Sequence, residues 1–341
     1  GFQQRVDRLA AAAALTRRWT KVARPFRQAI ARVKYAPGWN YDGDAIERAV
    51  GVSEWVQYRN FWTSNLSLSY KPQAVDDRLT RGGPLALRPT SWTASADLTT
   101  DSRDAVSGYV LVSYSQTAGQ PSLNILPQLT LRPNAAIMVS GTLGYLNSRS
   151  PAQYVQRVSD TTAVATLGTR YVFAELHQQY LYTTIRANAT FSPVLSFELY
   201  AQPFAFAGDY SGFKELRARK TFEFNTYGRD NGSTLTPGDT AVCSSAGPNV
   251  CAGVDPDGPS GPAQPFALYN PDFRTRSLKT NAVLRWEYRP GSTLFLVWTH
   301  SRSGYVPYDG SFSPRFDLER ATFQDRPTNV LLVKFNYWVS L

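Results

Sequence analysis

Apolar and polar residues alternate along this chain in segments of about ten residues, most clearly near the C-terminus. In the stretch 330–341, one side carries only apolar and aromatic residues: Val333, Phe335, Tyr337, Val339 and Leu341. The other side carries Lys334, Asn336, Trp338 and Ser340. Side chains of a strand alternate between two faces, so this pattern predicts a two-faced strand. Such a strand is typical of an outer-membrane barrel, although a β-sandwich strand with one buried face has the same pattern.

The same alternation recurs along the chain and decides between these folds. It predicts fifteen strands, at about 4–18, 25–36, 45–57, 61–71, 90–100, 105–116, 122–132, 135–147, 152–159, 164–176, 180–191, 194–206, 279–289, 292–301 and 330–341. Repetition of the two faces without a buried Trp–disulfide signature favours a barrel over a sandwich. We therefore expect an all-β protein, an antiparallel transmembrane β-barrel of the bacterial outer-membrane type with about 14–16 strands and long extracellular loops.

The connections between these strands alternate in length. Tight turns are predicted at 101–104, 132–134, 192–193 and 289–291, and long connections at 72–88, 207–278 and 302–330. Outer-membrane barrels have short periplasmic turns and longer extracellular loops. We expect residues 1–341 to form one barrel in which 207–278 is a large extracellular loop region. The stretch 148–179 fits either a single tall hairpin or two extra strands.

Composition narrows the class of protein and its partners. The net charge is +10, yet Lys and Arg are spread along strands and loops without a nucleic-acid-binding motif, so nucleic acid is not an expected partner. The chain contains no run of eighteen apolar residues, which is about the length that a transmembrane helix requires. The basic residues suit a lumen and loops facing lipopolysaccharide, so the expected partners are the lipid bilayer and lipopolysaccharide, at the bacterial outer membrane.

The cysteines and the N-terminal residues both bear on whether the protein is exported. Cys243 and Cys251 lie in a Pro/Gly/Ser-rich stretch, where an isolated pair predicts a disulfide in an oxidising compartment. A metal site is the alternative, but no histidine lies nearby. The start at Gly1 lacks a signal peptide, so we expect a mature, processed or partial chain.

Charged residues within strands are the candidate lumen lining. They are Arg186, Glu198, Arg285, Glu287, Arg289 and Lys334. A second candidate is Arg78 with Arg81, before Gly82-Gly83-Pro84, where glycines allow the loop to fold inward and bind an anion or a sugar acid. The alternative for this pair is an internal salt bridge with Asp76 or Asp77.

Catalytic chemistry is not indicated by the sequence. A Ser–His hydrolase would require a histidine with a nucleophilic serine and an orienting polar group. His177 and His300 have no such spacing, and neither has a metal-ligand partner. We expect a non-enzymatic protein without cofactor or metal.

Several motifs resemble one outer-membrane family. They are Gly1-Phe-Gln-Gln-Arg5, Trp39-Asn-Tyr-Asp-Gly-Asp44, Asp76-Asp-Arg-Leu-Thr-Arg-Gly-Gly-Pro84, Arg170-Tyr-Val-Phe-Ala174, Leu199-Tyr-Ala-Gln-Pro-Phe204, Asn270-Pro-Asp-Phe273 and Leu284-Arg-Trp-Glu-Tyr-Arg-Pro-Gly-Ser-Thr-Leu294. Together they resemble the barrel family catalogued as domain of unknown function 5916. The resemblance implies a C-terminal barrel that commonly follows a carbohydrate-binding, family 9-like module, and hence that this chain is the C-terminal part of a longer protein.

Two functions follow from these expectations. The first is a channel or transporter for polar solutes such as oligosaccharides, because the lumen face is polar and the resembled family often has a sugar-binding partner. The second is a structural, surface-anchor or assembly barrel whose loops, or a partner membrane or periplasmic protein, do the binding. A barrel hydrolase is a third, less favoured alternative. An open lumen would favour the channel, and a lumen filled by loop 72–88 would favour the anchor.

Overall fold

Strands are the main element of the described part of the chain, as the alternating pattern predicts. The computed structural model describes residues 5–243, 250–306 and 314–339. The first ten strands are β1 (Arg8–Ala10), β2 (Ala13–Trp19), β3 (Phe26–Asn40), β4 (Ala45–Tyr58), β5 (Thr63–Lys71), β6 (Ala74–Asp76), β7 (Ala86–Arg88), β8 (Ser91–Thr99), β9 (Val106–Thr117) and β10 (Gln120–Asn134). The others are β11 (Ile137–Ser159), β12 (Thr169–Ser192), β13 (Leu195–Leu216), β14 (Phe224–Thr226), β15 (Thr234–Pro237), β16 (Cys251–Asp255), β17 (Phe266–Tyr269), β18 (Phe273–Arg289), β19 (Ser292–Val306) and β20 (Thr328–Asn336). One 3₁₀ turn (Val164–Thr166) and one helix, α1 (Pro314–Phe323), complete the described elements.

Most strands belong to one antiparallel sheet in which chain neighbours pair. The path is β1-β3-β4-β5-β8-β9-β10-β11-β12-β13-β18-β19-β20, while β2 also pairs with β3 and β14 with β13. Strands β1 and β2 lie end to end along β3, since Arg8 pairs with Asn40 and Trp19 with Ala29. The sheet therefore has thirteen strand positions in the described part of the chain. The smaller β15-β16-β17 sheet and the β6-β7 hairpin lie in its connections.

The register keeps polar and apolar residues on opposite faces. Residues that pair across neighbouring strands share a face of the sheet. One row of successive partners is polar, consisting of Ser53, Ser67, Ser95, Ser113 and Asn124. The adjacent row is apolar, consisting of Val33, Val52, Leu68, Ala94, Tyr114 and Leu123. We call these two sides the polar face and the apolar face.

The stretch 148–179 forms a single tall hairpin. Strands β11 and β12 run unbroken through the gaps predicted at 148–151 and 177–179, so the fifteen predicted strands become thirteen positions. The turn-like Ser148-Arg-Ser-Pro151 run lies beside an irregularity between Ser150 and Gln153. A bulge accommodates proline without ending the ladder, which explains why the predicted break is absent.

The connections fall at two ends of the sheet, as their lengths predict. The tight turns after β4, β8, β10, β12 and β18 lie at one end, which we call the short-turn end. The connections 72–90, 217–272 and 307–327 lie at the other, the loop-rich end. The predicted loop region 207–278 was too long, because β13 continues to Leu216 and β18 begins at Phe273. Likewise β19 continues to Val306 and β20 begins at Thr328. The predicted final strand ends at Asn336, and Ser340 and Leu341 lie outside the described residues, as does the Gly1–Gln4 part of the first motif.

The sheet does not close within the described residues. Neither β1 and β2 nor β20 has a strand partner on its outer edge in the parts that the structure describes. Both edges run from the loop-rich end to the short-turn end, because thirteen alternating positions begin and end in the same direction. A seam between these two edges would therefore be parallel, unlike every described strand pair. The closed barrel predicted from the sequence is thus shown only as an open antiparallel sheet.

The sheet is strongly curved. Lys220 Nζ lies 3.8 Å from Asp44 Oδ1, joining the segment after β13 to the turn before β4. These strands are seven positions apart, which would be about 34 Å in a flat sheet. Residues 217–220 extend at most about 14 Å, and two side chains cannot span the remainder. The sheet must therefore bend so that its distant parts meet at the loop-rich end.

Two apolar clusters and one helix fill the loop-rich end. Tyr171, Phe173 and Leu216 pack against Ala86 of β7, and Val172 packs on the other side against Val254 of β16. Helix α1 lies against β12, β13, β18 and β19, where buried Asp317 accepts hydrogen bonds from Arg274. No described helix has the length and hydrophobicity needed to cross a membrane.

Candidate functional site

Five of the six charged strand residues predicted from the sequence share the polar face. Arg186 pairs with Tyr200, and Asn188 of the same face pairs with Glu198. Farther along, Arg285 pairs with Phe295, which in turn pairs with Lys334, and Glu287 continues the same side of β18. Arg289 does not, because the register shifts after Glu287 and Arg289 pairs with Ser292. Register alone therefore brings the other five residues to one surface, as their alternation predicts.

They form two groups on that face. Arg186 and Glu198 border a depression of about 300 Å³ with Tyr200 and Asn281, and the Arg186 guanidinium lies 5.4 Å from the centre of the Tyr200 ring. The second group lies nearer the short-turn end and consists of Arg285, Glu287 and Lys334, with Arg289 next to it in the chain. Arg285 donates to Glu287 at 3.2 Å, and Arg289 donates to the Tyr337 hydroxyl at 2.7 Å. The face is polar and carries more positive than negative charge.

The loop pair Arg78 and Arg81 is separated by the structure. Arg81 has a left-handed backbone, φ 53°, and its guanidinium lies 4.5 Å from the centre of the Tyr154 ring. Arg78 instead lines a cleft that Arg81 does not border. The salt bridge considered for Asp77 is made by Arg5, whereas Asp76 accepts backbone N–H groups of Arg78 and Leu79. The pair does not form one bidentate site.

The cleft beside Arg78 has a volume of about 650 Å³. Its polar and aromatic lining consists of Arg5, Arg8, Tyr41, Glu47, Arg78 and Arg88. Arg5 comes from the segment before β1, Tyr41 from the β3–β4 turn, and Arg88 from the end of β7. The hydrogen bond and charge of Arg5 lower the pKa of Asp77, and Asp77 in turn raises the pKa of Arg5.

Sequence reasoning missed three of these four arginines. Arg5 and Arg8 are 73 and 70 residues from Arg78, so no local pattern connects them. The only available signal was the density of arginines near the start of the chain and around loop 72–88. Their meeting depends on the pairing of β1 with β3 and on the docking of the β6–β7 hairpin against β4.

The predicted disulfide is confirmed. Cys243 and Cys251 are bonded, with Cα atoms 6.0 Å apart. The loop that it was predicted to pin includes residues 244–249, which lie outside the described residues. Cys251 begins β16, so the bond fixes the start of the small sheet within the connection 217–272.

The histidines do not form a nucleophile–base pair in the described structure. His300 Nδ1 lies 2.8 Å from Asn329 Oδ1, and its Nε2 accepts a hydrogen bond from Arg302. Neighbouring Ser301 and Ser303 point to the opposite face, as successive strand residues do. His177 Nε2 lies 2.8 Å from Asn147 Oδ1. Within the described ranges, no group of three or more His, Cys, Asp or Glu residues is placed to hold a metal ion.

Comparison with known proteins adds no relative: no family model, no characterised protein and no solved structure matches this chain.

Proposed function

We propose that the curved sheet is the wall of a β-barrel in the bacterial outer membrane, with its apolar face in lipid and its polar face lining a water-filled passage. One observation carries this proposal: the apolar face stays exposed along the sheet. Exposed fractions are 53% for Leu66, 52% for Leu68, 58% for Val333 and 62% for Phe335. This apolar surface, interrupted at Glu54 beside Leu66, requires lipid or a partner to cover it, and strands that alternate in this way are typical of lipid-facing walls.

The passage is proposed to admit polar solutes and to prefer anions, without catalysing a reaction. Among the predicted residues on the polar face, the cations Arg186, Arg285 and Lys334 outnumber the anions Glu198 and Glu287. The register adds the cations Arg32, Lys34 and Lys279 and the anion Asp97 to the same face. Fixed charges in a narrow lumen act through a lower effective dielectric than bulk water, so a positive surplus favours anions. Acidic oligosaccharides are the solutes that this charge and the resembled family suggest.

A specific observation also favours the anchor or assembly function. Loop 72–90 does not extend freely from the sheet. Arg88 Nη2 donates to the carbonyl oxygen of Ile46 at 2.8 Å on β4, while Leu87 N–H donates to Thr221 beyond β13. The loop therefore reaches across the loop-rich end, where it would narrow the entrance to an enclosed passage.

Conductance of the full-length protein in planar bilayers tests the channel proposal. We expect steady conductance with anion preference, and Arg285→Glu should weaken that preference because it reverses one charge on the polar face. Arg103→Glu is the matched control, since Arg103 lies in the exposed β8–β9 turn and pairs with Asp101. Folded protein without conductance under any voltage would contradict the channel and favour the anchor, as would equal effects of the two substitutions.

A further inference from the structure

The arginine cleft at the loop-rich end is assembled from three separate chain segments. Strand β1 lies beside β3, and Arg8 forms an ion pair with Glu47 of β4. The β6–β7 hairpin lies against β4, and Arg88 Nη2 binds the carbonyl oxygen of Ile46. Four guanidinium groups therefore border one opening of about 650 Å³. Cavities of this size hold small organic ligands rather than a single inorganic ion.

The carboxylates around the cleft do not neutralise all four arginines. Asp7 and Asp77 both pair with Arg5, and Glu47 pairs with Arg8. Arg88 has no carboxylate partner among the described residues. Its Nε is buried without an acceptor there, and the Ile46 carbonyl supplies no negative charge. Arg88 therefore brings to the cleft a positive charge that no carboxylate neutralises, and a guanidinium binds an oxyanion best through two parallel hydrogen bonds.

Two further groups suit a ring that carries hydroxyl groups. Tyr41 borders the cleft in the β3–β4 turn and is 71% exposed, so its ring is available to cover a ligand. Glu47 Oε2 accepts from Arg8, while its Oε1 has no hydrogen-bond partner among the described residues. An ionised carboxylate oxygen accepts hydrogen bonds, so Oε1 can accept one from a hydroxyl group.

We propose that this cleft binds an acidic saccharide, with the sugar carboxylate on Arg88, a hydroxyl group on Glu47 and the ring against Tyr41. The planar fork of Arg88 matches a carboxylate, and Arg78 at the rim adds a second positive charge. The site lies at the loop-rich end, away from Arg285 and Lys334. It would bind its ligand whether or not the sheet encloses a conducting passage.

Isothermal titration of the detergent-solubilised full-length protein tests this site. The probes are digalacturonate, the neutral disaccharide galactobiose and inorganic phosphate. We expect digalacturonate to bind at least about tenfold more tightly than either of the others, with affinity that falls as salt is raised. Arg88→Gln should weaken digalacturonate binding at least about tenfold. Arg88→Lys, which keeps the charge but loses the fork, should weaken it less.

Controls separate loss of the site from loss of the fold. Arg103→Gln, at the short-turn end, should bind digalacturonate like the unaltered protein. Should Arg88→Gln fail to fold by circular dichroism, Arg78→Gln provides an exposed alternative and should also weaken binding. Unchanged binding in a folded Arg88 or Arg78 variant would overturn the proposal. Equal affinity for galactobiose, or for phosphate alone, would overturn it as well.

Discussion

Buried arginines at the loop-rich end are paired, which distinguishes them from Arg88. Arg170 donates to both Glu215 oxygens at 2.8 Å and to Asp160 at 2.5 Å. The Tyr227 hydroxyl donates to the same Glu215, and burial together with that negative charge raises the pKa of Tyr227 well above its ordinary value. Removing one member of a buried ion pair leaves an uncompensated charge, so this network stabilises the tall hairpin rather than forming a binding site.

Gly83 decides whether the β6–β7 hairpin can dock. A Cβ at this position would overlap the Tyr171 ring, which is only 6% exposed. We expect Gly83→Ala to force Tyr171 out of its packed position, at a cost of about 1–3 kcal/mol for overpacking. Faster proteolytic cleavage within 72–90 is the expected measurement.

Gly141→Ala is the control for that substitution, because nothing lies within 4 Å of the added Cβ. It should leave the cleavage rate unchanged. Equal cleavage of the unaltered protein and Gly83→Ala would show that the hairpin does not depend on contact with Tyr171.

Each strand is a two-sided element whose faces require different surroundings. In β5, Ser67 donates to or accepts from Ser95 on the polar face at 2.7 Å, while Leu68 lies among exposed apolar side chains. The two residues are neighbours in sequence but lie on opposite faces of the sheet. The sheet is therefore expected to respond differently to the same substitution at adjacent positions.

Leu68→Arg and Ser67→Arg test that expectation within one strand. A charge on a lipid face costs about 2–4 kcal/mol near the bilayer midplane, whereas a lumen position tolerates it. We expect Leu68→Arg to reduce folding into lipid vesicles, measured by circular dichroism and protease resistance, and Ser67→Arg to fold normally. Equal tolerance at the two positions would argue against a lipid-facing sheet.

The whole molecule depends on curvature that brings distant connections together. Asp44 and Lys220 are 176 positions apart in the sequence, yet they meet at the loop-rich end. With Asp44→Cys and Lys220→Cys in one chain, a short bismaleimide should link the two residues within single molecules. The native cysteines are bonded to each other and do not compete.

Asp104→Cys combined with Lys220→Cys provides the matched control. Asp104 lies in the β8–β9 turn at the short-turn end, so the same reagent should leave this pair unlinked. Mass spectrometry of the digested protein distinguishes the two results. Efficient linking of the control pair, or none between positions 44 and 220, would contradict the curved sheet and its two ends.

The sequence by itself determined most of the sheet strands, their two faces and the Cys243–Cys251 bond. It also determined that short turns lie at one end of the sheet and long connections at the other. These features depend on local rules. Side chains alternate along any strand, antiparallel neighbours reverse direction at every turn, and two cysteines eight residues apart lie within reach of each other. For that reason Arg186, Glu198 and Lys334 could be assigned to one face before any contact was known.

Only the tertiary structure decided the continuity of β11 and β12, the separation of Arg78 from Arg81, and the meeting of Arg5, Arg8 and Arg88. A proline in a sequence does not show whether a bulge will absorb it, because neighbouring strands supply the ladder that continues past it. The cleft depends on which strand β1 pairs with and where the β6–β7 hairpin docks. Those outcomes arise from packing between residues far apart in the chain, which alternation within a strand does not encode.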